Sequence, residues 1–179
     1  MLLVSPPKNT DFSNPLDALK TCHARIRVEC EKLRQLTERV AGRNYDDEAR
    51  QAAAALMRYF DTAARFHHED EEDDLLPRMM AAATQGRGSR LTRLVAEIAT
   101  EHREMDRIWK DLRAALQEIS AGEQQPIDIL AVDRFVKLYA SHITVEESNL
   151  YPLAEMLLSR GDLEQIGASM AERRGVSVK

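Results

Sequence analysis

Apolar residues recur at intervals of three and four along four long stretches of the chain, which is the spacing of helices that bury one face. The third stretch has the most regular line: Leu91, Leu94, Ile98, His102, Met105, Trp109, Leu112, Leu116 and Ile119. A single histidine interrupts this otherwise apolar line. The pattern predicts four long helices, at least one of which carries a polar side chain into the core.

Local capping signals predict the first two helices. Asn14 followed by Pro15 is typical of a helix start, because asparagine caps free amides and proline suits the first helical position. The first helix should run to about Ala41, before Gly42. A second helix should follow Asn44, and its apolar line becomes polar at its end.

Two polar linkers separate the remaining helices. TQGRGS is the clearer linker, and Ser89 at its end can cap a third helix that extends to about Ser120. A fourth helix should follow AGEQQP. The segment Arg160-Gly161-Asp162 should end that helix and cap a short amphipathic fifth.

Composition supports an all-α fold. Of 179 residues, 44% are hydrophobic and 31% are charged, and only seven glycines and six prolines interrupt the chain. Short connections imply antiparallel neighbours, so we predict an up-down antiparallel four-helix bundle with a short C-terminal fifth helix. We expect a lead-in at residues 1–14, the bundle at residues 15–158, and the short helix and tail at residues 159–179.

Charge and cysteine usage limit the cellular setting. A net charge of −5 offers no basic stripe for phosphates, so we expect no nucleic-acid partner. The start MLLVSPPKNT is predicted to be neither a signal peptide nor a membrane span, which favours a cytoplasmic protein without a membrane partner. Cys22 and Cys30 lie in one predicted helix about 12 Å apart, too far for a disulfide and consistent with a reducing compartment.

A repeated motif carries the candidate chemistry. Residues 67–77 read HHEDEEDDLLP and residues 142–152 read HITVEESNLYP. Each motif also follows a helix with one histidine in its apolar stripe, so the chain resembles two related hairpins. The matched pairs are His23/His102, His67/His142, Glu71/Glu146, Glu72/Glu147, Leu75/Leu150 and Pro77/Pro152.

The spacing of the motif predicts a metal site. Residues four apart project from one face of a helix, so His67 with Glu71 and His142 with Glu146 can each chelate a cation. Two hairpins packed together would bring these four side chains, with those of His23 and His102, to the middle of the bundle. The glutamates could bridge two cations.

Energetics and ligand chemistry support two divalent cations. Burying one unpaired carboxylate costs several kcal/mol, which two cations would offset while satisfying the imidazole lone pairs. Imidazole with carboxylate suits iron, manganese or zinc, and the absence of a thiolate cluster argues against an iron–sulfur site. Four nitrogens and two bridging carboxylates supply roughly eight of about twelve bonds, so water, oxide or a small diatomic must fill the rest.

The complete pattern resembles the hemerythrin-like proteins, the family of the HHE cation-binding domain. The resemblance covers roughly residues 15–158. It implies an up-down bundle and a non-haem di-iron centre, oxo- or hydroxo-bridged in one form, that meets dioxygen, nitric oxide or peroxide. The implied metal ligands are His23, His67, Glu71, His102, His142 and Glu146.

One departure from the family pattern bears on function. Oxygen-carrying hemerythrins have a further histidine four residues from the one on the third helix, whereas Ile98 and Asp106 stand at those positions. The set is more similar to the branch linked to repair of iron–sulfur centres, in which a pair like Glu101-His102 also occurs. We therefore expect no cysteine-bearing N-terminal domain of the kind that many repair proteins have.

Several neighbouring residues have open roles. We expect His68 to face the edge of the bundle and Tyr139 to pack in the core, with a contact to a metal-bound oxygen as the alternative. Glu72 and Glu147 are expected in surface ion pairs or around the ligands. Glu101 and Asp106 are candidates for supporting the ligands, and Pro77 and Pro152 should kink their helices beyond the glutamates.

Three functions remain open on the sequence alone. The first is a di-iron protein that binds dioxygen or nitric oxide for sensing, scavenging, iron handling or repair. The second is a redox enzyme that turns over peroxide or nitric oxide, with Tyr139 or Asp106 handling protons. The third is a metal-free helical interaction module. A homodimer through the fifth helix is also left open.

Overall fold

A computed structural model describes residues 11–83 and 88–176, among which there is no strand. Five helices follow one another in this part of the chain. They are α1 (Pro15–Ala41), α2 (47–82), α3 (Gly88–Ala121), α4 (129–157) and α5 (Arg160–Arg173). None of the described helices is long and apolar enough to cross a membrane.

Two of the helices contain π turns. In α2, the α-helical segments Asp47–Tyr59, Arg65–Glu69 and Leu76–Ala82 are joined by π turns at Phe60–Ala64 and Asp70–Leu75. In α4, a π turn at Glu146–Leu150 joins Ile129–Val145 to Tyr151–Leu157. Such turns are rare and are frequently found at functional sites.

The prolines of the repeated motif follow two of these π turns. Pro77 and Pro152 are each the second residue of the α-helical segment after the turn. Proline has no amide to bond the carbonyl four residues back, so the α-helical ladder is interrupted just before it. The predicted irregularity therefore takes the form of a π turn, and the turns contain Glu71 and Glu146.

The helix ends follow the capping rules. The Asn14 side chain accepts a hydrogen bond from the Asp17 amide, and α1 ends at Ala41, as the sequence predicts. In α2, Asp46 provides the cap. For α5, the cap is Ser159, which forms a reciprocal capping box with Asp162, so the helix begins earlier than predicted.

The start of α3 differs from the prediction. The helix already includes Gly88, so Ser89 lies within it and does not cap it. The preceding residues 84–87 of the predicted linker, like residues 1–10 of the predicted lead-in, lie outside the described part of the chain. At its other end α3 reaches Ala121, close to the predicted Ser120.

Each of the four long helices packs most extensively against two of the others. α1 contacts α2 and α4, and α3 contacts the same two helices. The interior contains two hydrophobic clusters, one around Ile26, Leu56 and Phe135, and the other around Leu19, Leu75 and Ile166. Between the two clusters, every long helix contributes buried histidine or glutamate side chains.

The short helix α5 is anchored on the second π turn of α2, Asp70–Leu75. Arg174 contacts Asp70 at 2.6 Å, and Arg173 contacts Asp74 at 2.9 Å. Asp70 is fully buried, which makes its two-arginine partnership necessary, since an unpaired buried carboxylate is costly. Because Asp70 precedes Glu71, α5 supports the turn that carries a candidate ligand.

Gly167 provides a test of how α5 packs. A Cβ atom added there would lie 2.0 Å from the Phe12 carbonyl oxygen, so the helix and the backbone of residue 12 must separate. We expect Gly167→Ala to lower the free energy of unfolding by about 1–3 kcal/mol in urea denaturation.

Gly161→Ala is the matched control on the same helix, because the nearest atom to its added Cβ is Ser159 Oγ at 3.8 Å. It should leave the free energy of unfolding unchanged or raise it by up to about 1 kcal/mol. Equal stability of the two variants would contradict the close approach.

Candidate metal centre

All six predicted ligands lie in the polar layer between the two hydrophobic clusters. α1 contributes one histidine, α2 a histidine and a glutamate, α3 one histidine, and α4 a histidine and a glutamate. Each residue is at most 1% exposed, so the layer is closed to bulk water. The residues are His23, His67, Glu71, His102, His142 and Glu146.

The six side chains form two groups that share both glutamates. His23 and His67 form one group with the two carboxylates, and His102 and His142 form the other with the same carboxylates. Within each group, one potential ligand atom from every residue lies within 4.8 Å of the others. Each group could hold a metal ion, and the carboxylates of Glu71 and Glu146 belong to both groups.

Interatomic distances show how the glutamates stand between the groups. Glu146 Oε2 is 3.0 Å from His23 Nε2, and its Oε1 is 3.0 Å from His142 Nε2. Glu71 Oε2 lies 3.8 Å from His67 Nε2 and 3.5 Å from His102 Nε2. Each carboxylate therefore faces imidazoles of both groups.

The layer leaves polar atoms without hydrogen bonds. Six buried side-chain nitrogen and oxygen atoms of the described residues have no hydrogen-bond partner, and five of them belong to this site. They are both ring nitrogens of His67, Oε2 of Glu71 and both oxygens of Glu146. The Glu146 oxygens are close to imidazoles, but these contacts lack hydrogen-bond geometry.

Cations would satisfy the atoms that the protein's own side chains leave without hydrogen-bond partners. An unsatisfied buried polar group costs about 1–3 kcal/mol, and an unpaired carboxylate costs more. Divalent cations bind imidazole nitrogens and carboxylate oxygens together and would satisfy both. The unsatisfied atoms therefore agree with the sequence-based expectation of a metal site here.

Three of the four imidazoles also have a carboxylate on the outer nitrogen. Glu147 Oε1 lies 2.9 Å from His23 Nδ1, and Glu72 Oε1 lies 2.6 Å from His102 Nδ1. Glu101 Oε2 lies 2.7 Å from His142 Nδ1. Such partners hold the proton on Nδ1, leave Nε2 free as a ligand and fix the ring orientation.

The imidazoles differ strongly in their proton affinity. Burial would lower the pKa of His102, but the carboxylates of Glu71, Glu72 and Glu146 outweigh it and raise the pKa to about 10. For His67, burial dominates and lowers the pKa to about 3. In the absence of a cation, His102 is therefore protonated at neutral pH and His67 is neutral.

His68, Tyr139 and Asp106, whose roles the sequence left open, are not members of the two ligand groups. His68 is buried and its ring stacks on that of His102 at a centroid distance of 4.0 Å, so the expectation that it faces the bundle edge is wrong. The Tyr139 hydroxyl is 3.5 Å from His68 Nε2. Burial raises the pKa of Asp106, and neither it nor Tyr139 belongs to the two groups.

Tyr151 is a site residue that sequence reasoning missed. Its hydroxyl donates a hydrogen bond to Glu71 Oε1 at 2.7 Å and lies 3.1 Å from His23 Nε2. The residue is fully buried. Its signal in the sequence is the mismatch between the two motifs, since the residue before Pro152 is a tyrosine and the residue before Pro77 is Leu76.

Comparison with known proteins agrees with this geometry. Residues 14–154 match the family described as the hemerythrin HHE cation binding domain. A protein of Haemophilus influenzae, described as uncharacterized, is 28% identical over 176 residues, which cover 98% of this chain and 99% of the relative. Because the family match spans most of the chain and includes all six predicted ligands, the chain belongs to the hemerythrin HHE cation-binding domain family.

Proposed function

We propose that this protein binds two iron ions and that the resulting centre takes up dioxygen or nitric oxide. The observation that carries the proposal is the pair of four-residue groups sharing two buried glutamates with unsatisfied oxygens. His23 and His67 would hold one ion, His102 and His142 the other, and both glutamates would bridge them. The family resemblance favours iron, while manganese or zinc would fit the same ligands.

The small-molecule part of the proposal follows from the number of ligands. Four imidazoles and two bridging carboxylates leave about four positions of two octahedral ions for other ligands. A reduced di-iron centre supplies electrons and an open position to a small molecule. The chain orients the imidazoles through Glu72, Glu101 and Glu147, and the hydrophobic clusters on both sides exclude water.

A redox enzyme acting on peroxide or nitric oxide is the second candidate. Tyr151 favours it, because a hydroxyl bonded to Glu71 stands among the ligand atoms and could move a proton there. Tyr139, the residue suggested by the sequence for this role, contacts His68 instead. Tyr151 is thus the better candidate for handling protons.

We also infer that the four long helices run alternately up and down. The ion pair Arg39–Asp46 lies at one end of the α1–α2 pair, and the ring contact His23–His67 lies further along both, in opposite chain directions. The other three helix pairs show the same order of contacts, for example Asp61–Arg113 followed by Glu72–His102 in α2 and α3. This arrangement supports residues 15–158 as the metal-binding unit.

The remaining expectations about the protein's setting stay predictions. Cys22 and Cys30 are both free thiols, which supports a reducing compartment such as the cytoplasm. The buried face of α5, with Ile166 and Met170, packs within its own chain. A homodimer would therefore need another surface of that helix.

Metal content tests the proposed ligands directly. We expect the purified protein to hold about two iron ions per chain by elemental analysis, and His67→Ala or His142→Ala to lower that number, because each removes a nitrogen ligand. Chelation should lower the melting temperature, since the bound ions stabilise only the folded chain. His68→Ala is the matched control and should retain the full content. Unchanged content in both ligand variants would exclude the proposed centre.

Metal uptake should strengthen as pH rises. The pKa of His102 is about 10 in the metal-free protein, so a cation that binds its Nε2 must displace a proton. Isothermal titration of the metal-free protein with Co²⁺ should give tighter binding at about pH 8 than at about pH 6, with proton release to the buffer. Affinity that does not change with pH would contradict the protonated state of His102.

The optical spectrum tests small-molecule binding. The reduced, iron-loaded protein should change its near-ultraviolet or visible absorption when dioxygen or nitric oxide is added, because the ligand field of iron changes. A stoichiometric change supports a binding protein, whereas many turnovers of peroxide or nitric oxide support the enzyme. Protein stripped of metal is the control and should not respond. If the absorption spectrum of the iron-loaded protein also stays unchanged, both functions are refuted.

A further inference from the structure

We infer that the two cation positions are unequal: the position between His102 and His142 fills first and holds its ion more tightly, and the position between His23 and His67 fills second and exchanges more readily. The inference rests on the proposed function, because it assumes that both positions take cations. Carboxylates outside the ligand set determine the order of loading.

Carboxylates support the imidazoles of the two positions unevenly. Both rings at the His102–His142 position have a carboxylate on Nδ1, at 2.6 and 2.7 Å. At the other position His23 has such a partner, but His67 Nδ1 has no hydrogen bond to any described residue. Loss of an outer partner of this kind typically lowers metal affinity about 10–100-fold.

The two sequence motifs explain why His67 lacks its partner. Glu101, which supports His142, is the residue immediately before His102. The matched residue of the other hairpin, immediately before His23, is Cys22. A thiol cannot supply the negative charge of a carboxylate, and Cys22 makes no hydrogen bond to His67.

The carboxylate that supports His23 is also shared. Arg27 binds both oxygens of Glu147, at 3.2 and 3.1 Å. A guanidinium attracts the charge that Glu147 would otherwise give to the imidazole, so His23 is the weaker donor to a cation. Both His23 and His67 therefore have weaker support from outer carboxylates than His102 and His142 have.

The present contacts of the ring nitrogens do not distinguish the two positions. His102 Nε2 and His142 Nε2 form a contact of 3.0 Å, and the Tyr151 hydroxyl lies 3.1 Å from His23 Nε2. A cation must displace one such contact at either position. The difference in the outer carboxylates therefore carries the inference.

Stepwise titration tests the inference. Metal-free full-length protein would be titrated with Co²⁺ against a coloured chelator at constant pH, which gives a dissociation constant for each step. We expect two steps that differ by about tenfold or more. Glu101→Gln keeps an oxygen that can accept from His142 but removes the charge, so it should weaken the first step and spare the second. Glu147→Gln should weaken only the second step.

Cys22→Ala is the matched control. Cys22 stands at the position that matches Glu101, but it makes no hydrogen bond to His67. It should leave both steps unchanged. As a second assignment, His67→Ala should keep the tight step and lose the loose one, while His102→Ala should do the reverse.

The outcomes separate the inference from the proposed function. Two equal steps in the native protein, or a tight step weakened by Glu147→Gln and not by Glu101→Gln, would overturn the order of loading while leaving the two-metal centre intact. Failure of the native protein to take up Co²⁺ or iron at all would refute the proposed function itself.

Discussion

The fold depends on a layer of imidazoles and carboxylates buried between two apolar clusters. Such a layer is expensive, because the surrounding side chains offer no water and few hydrogen bonds to Glu71, Glu146 and His67. The same low-dielectric surroundings strengthen the attraction between these groups and a divalent cation. The feature that would destabilise the bundle without metal is therefore the one that makes the site suitable for metal.

The π turns supply the local geometry that this layer needs. Both candidate bridging glutamates lie in π turns, each followed by a proline that cannot continue the α-helical hydrogen-bond ladder. The second π turn of α2 is also held by the C-terminal end of α5, where Arg173 and Arg174 form ion pairs with Asp70. A short helix far along the chain thus supports the position of Glu71.

The two hairpins share a motif but differ around the candidate metal site. Glu72 and Glu147 each contact a histidine of the opposite hairpin: Glu72 contacts His102, and Glu147 contacts His23. The relationship fails where Cys22 stands opposite Glu101 and where Leu76 stands opposite Tyr151. Both differences change the surroundings of His23 and His67, which supports the proposed inequality of the two cation positions.

The sequence by itself determined the all-helical fold, the end of α1 and the six side chains of the polar layer, because helical spacing fixes which residues share a face and the repeated motif marks the ones that do not belong in an apolar core. Only the tertiary structure decided the burial of His68, the entry of the Tyr151 hydroxyl into the site and the missing partner of His67. These features depend on how helices rotate against one another and on the extra residue in each π turn, which shift side chains between faces that the periodicity of one helix cannot distinguish.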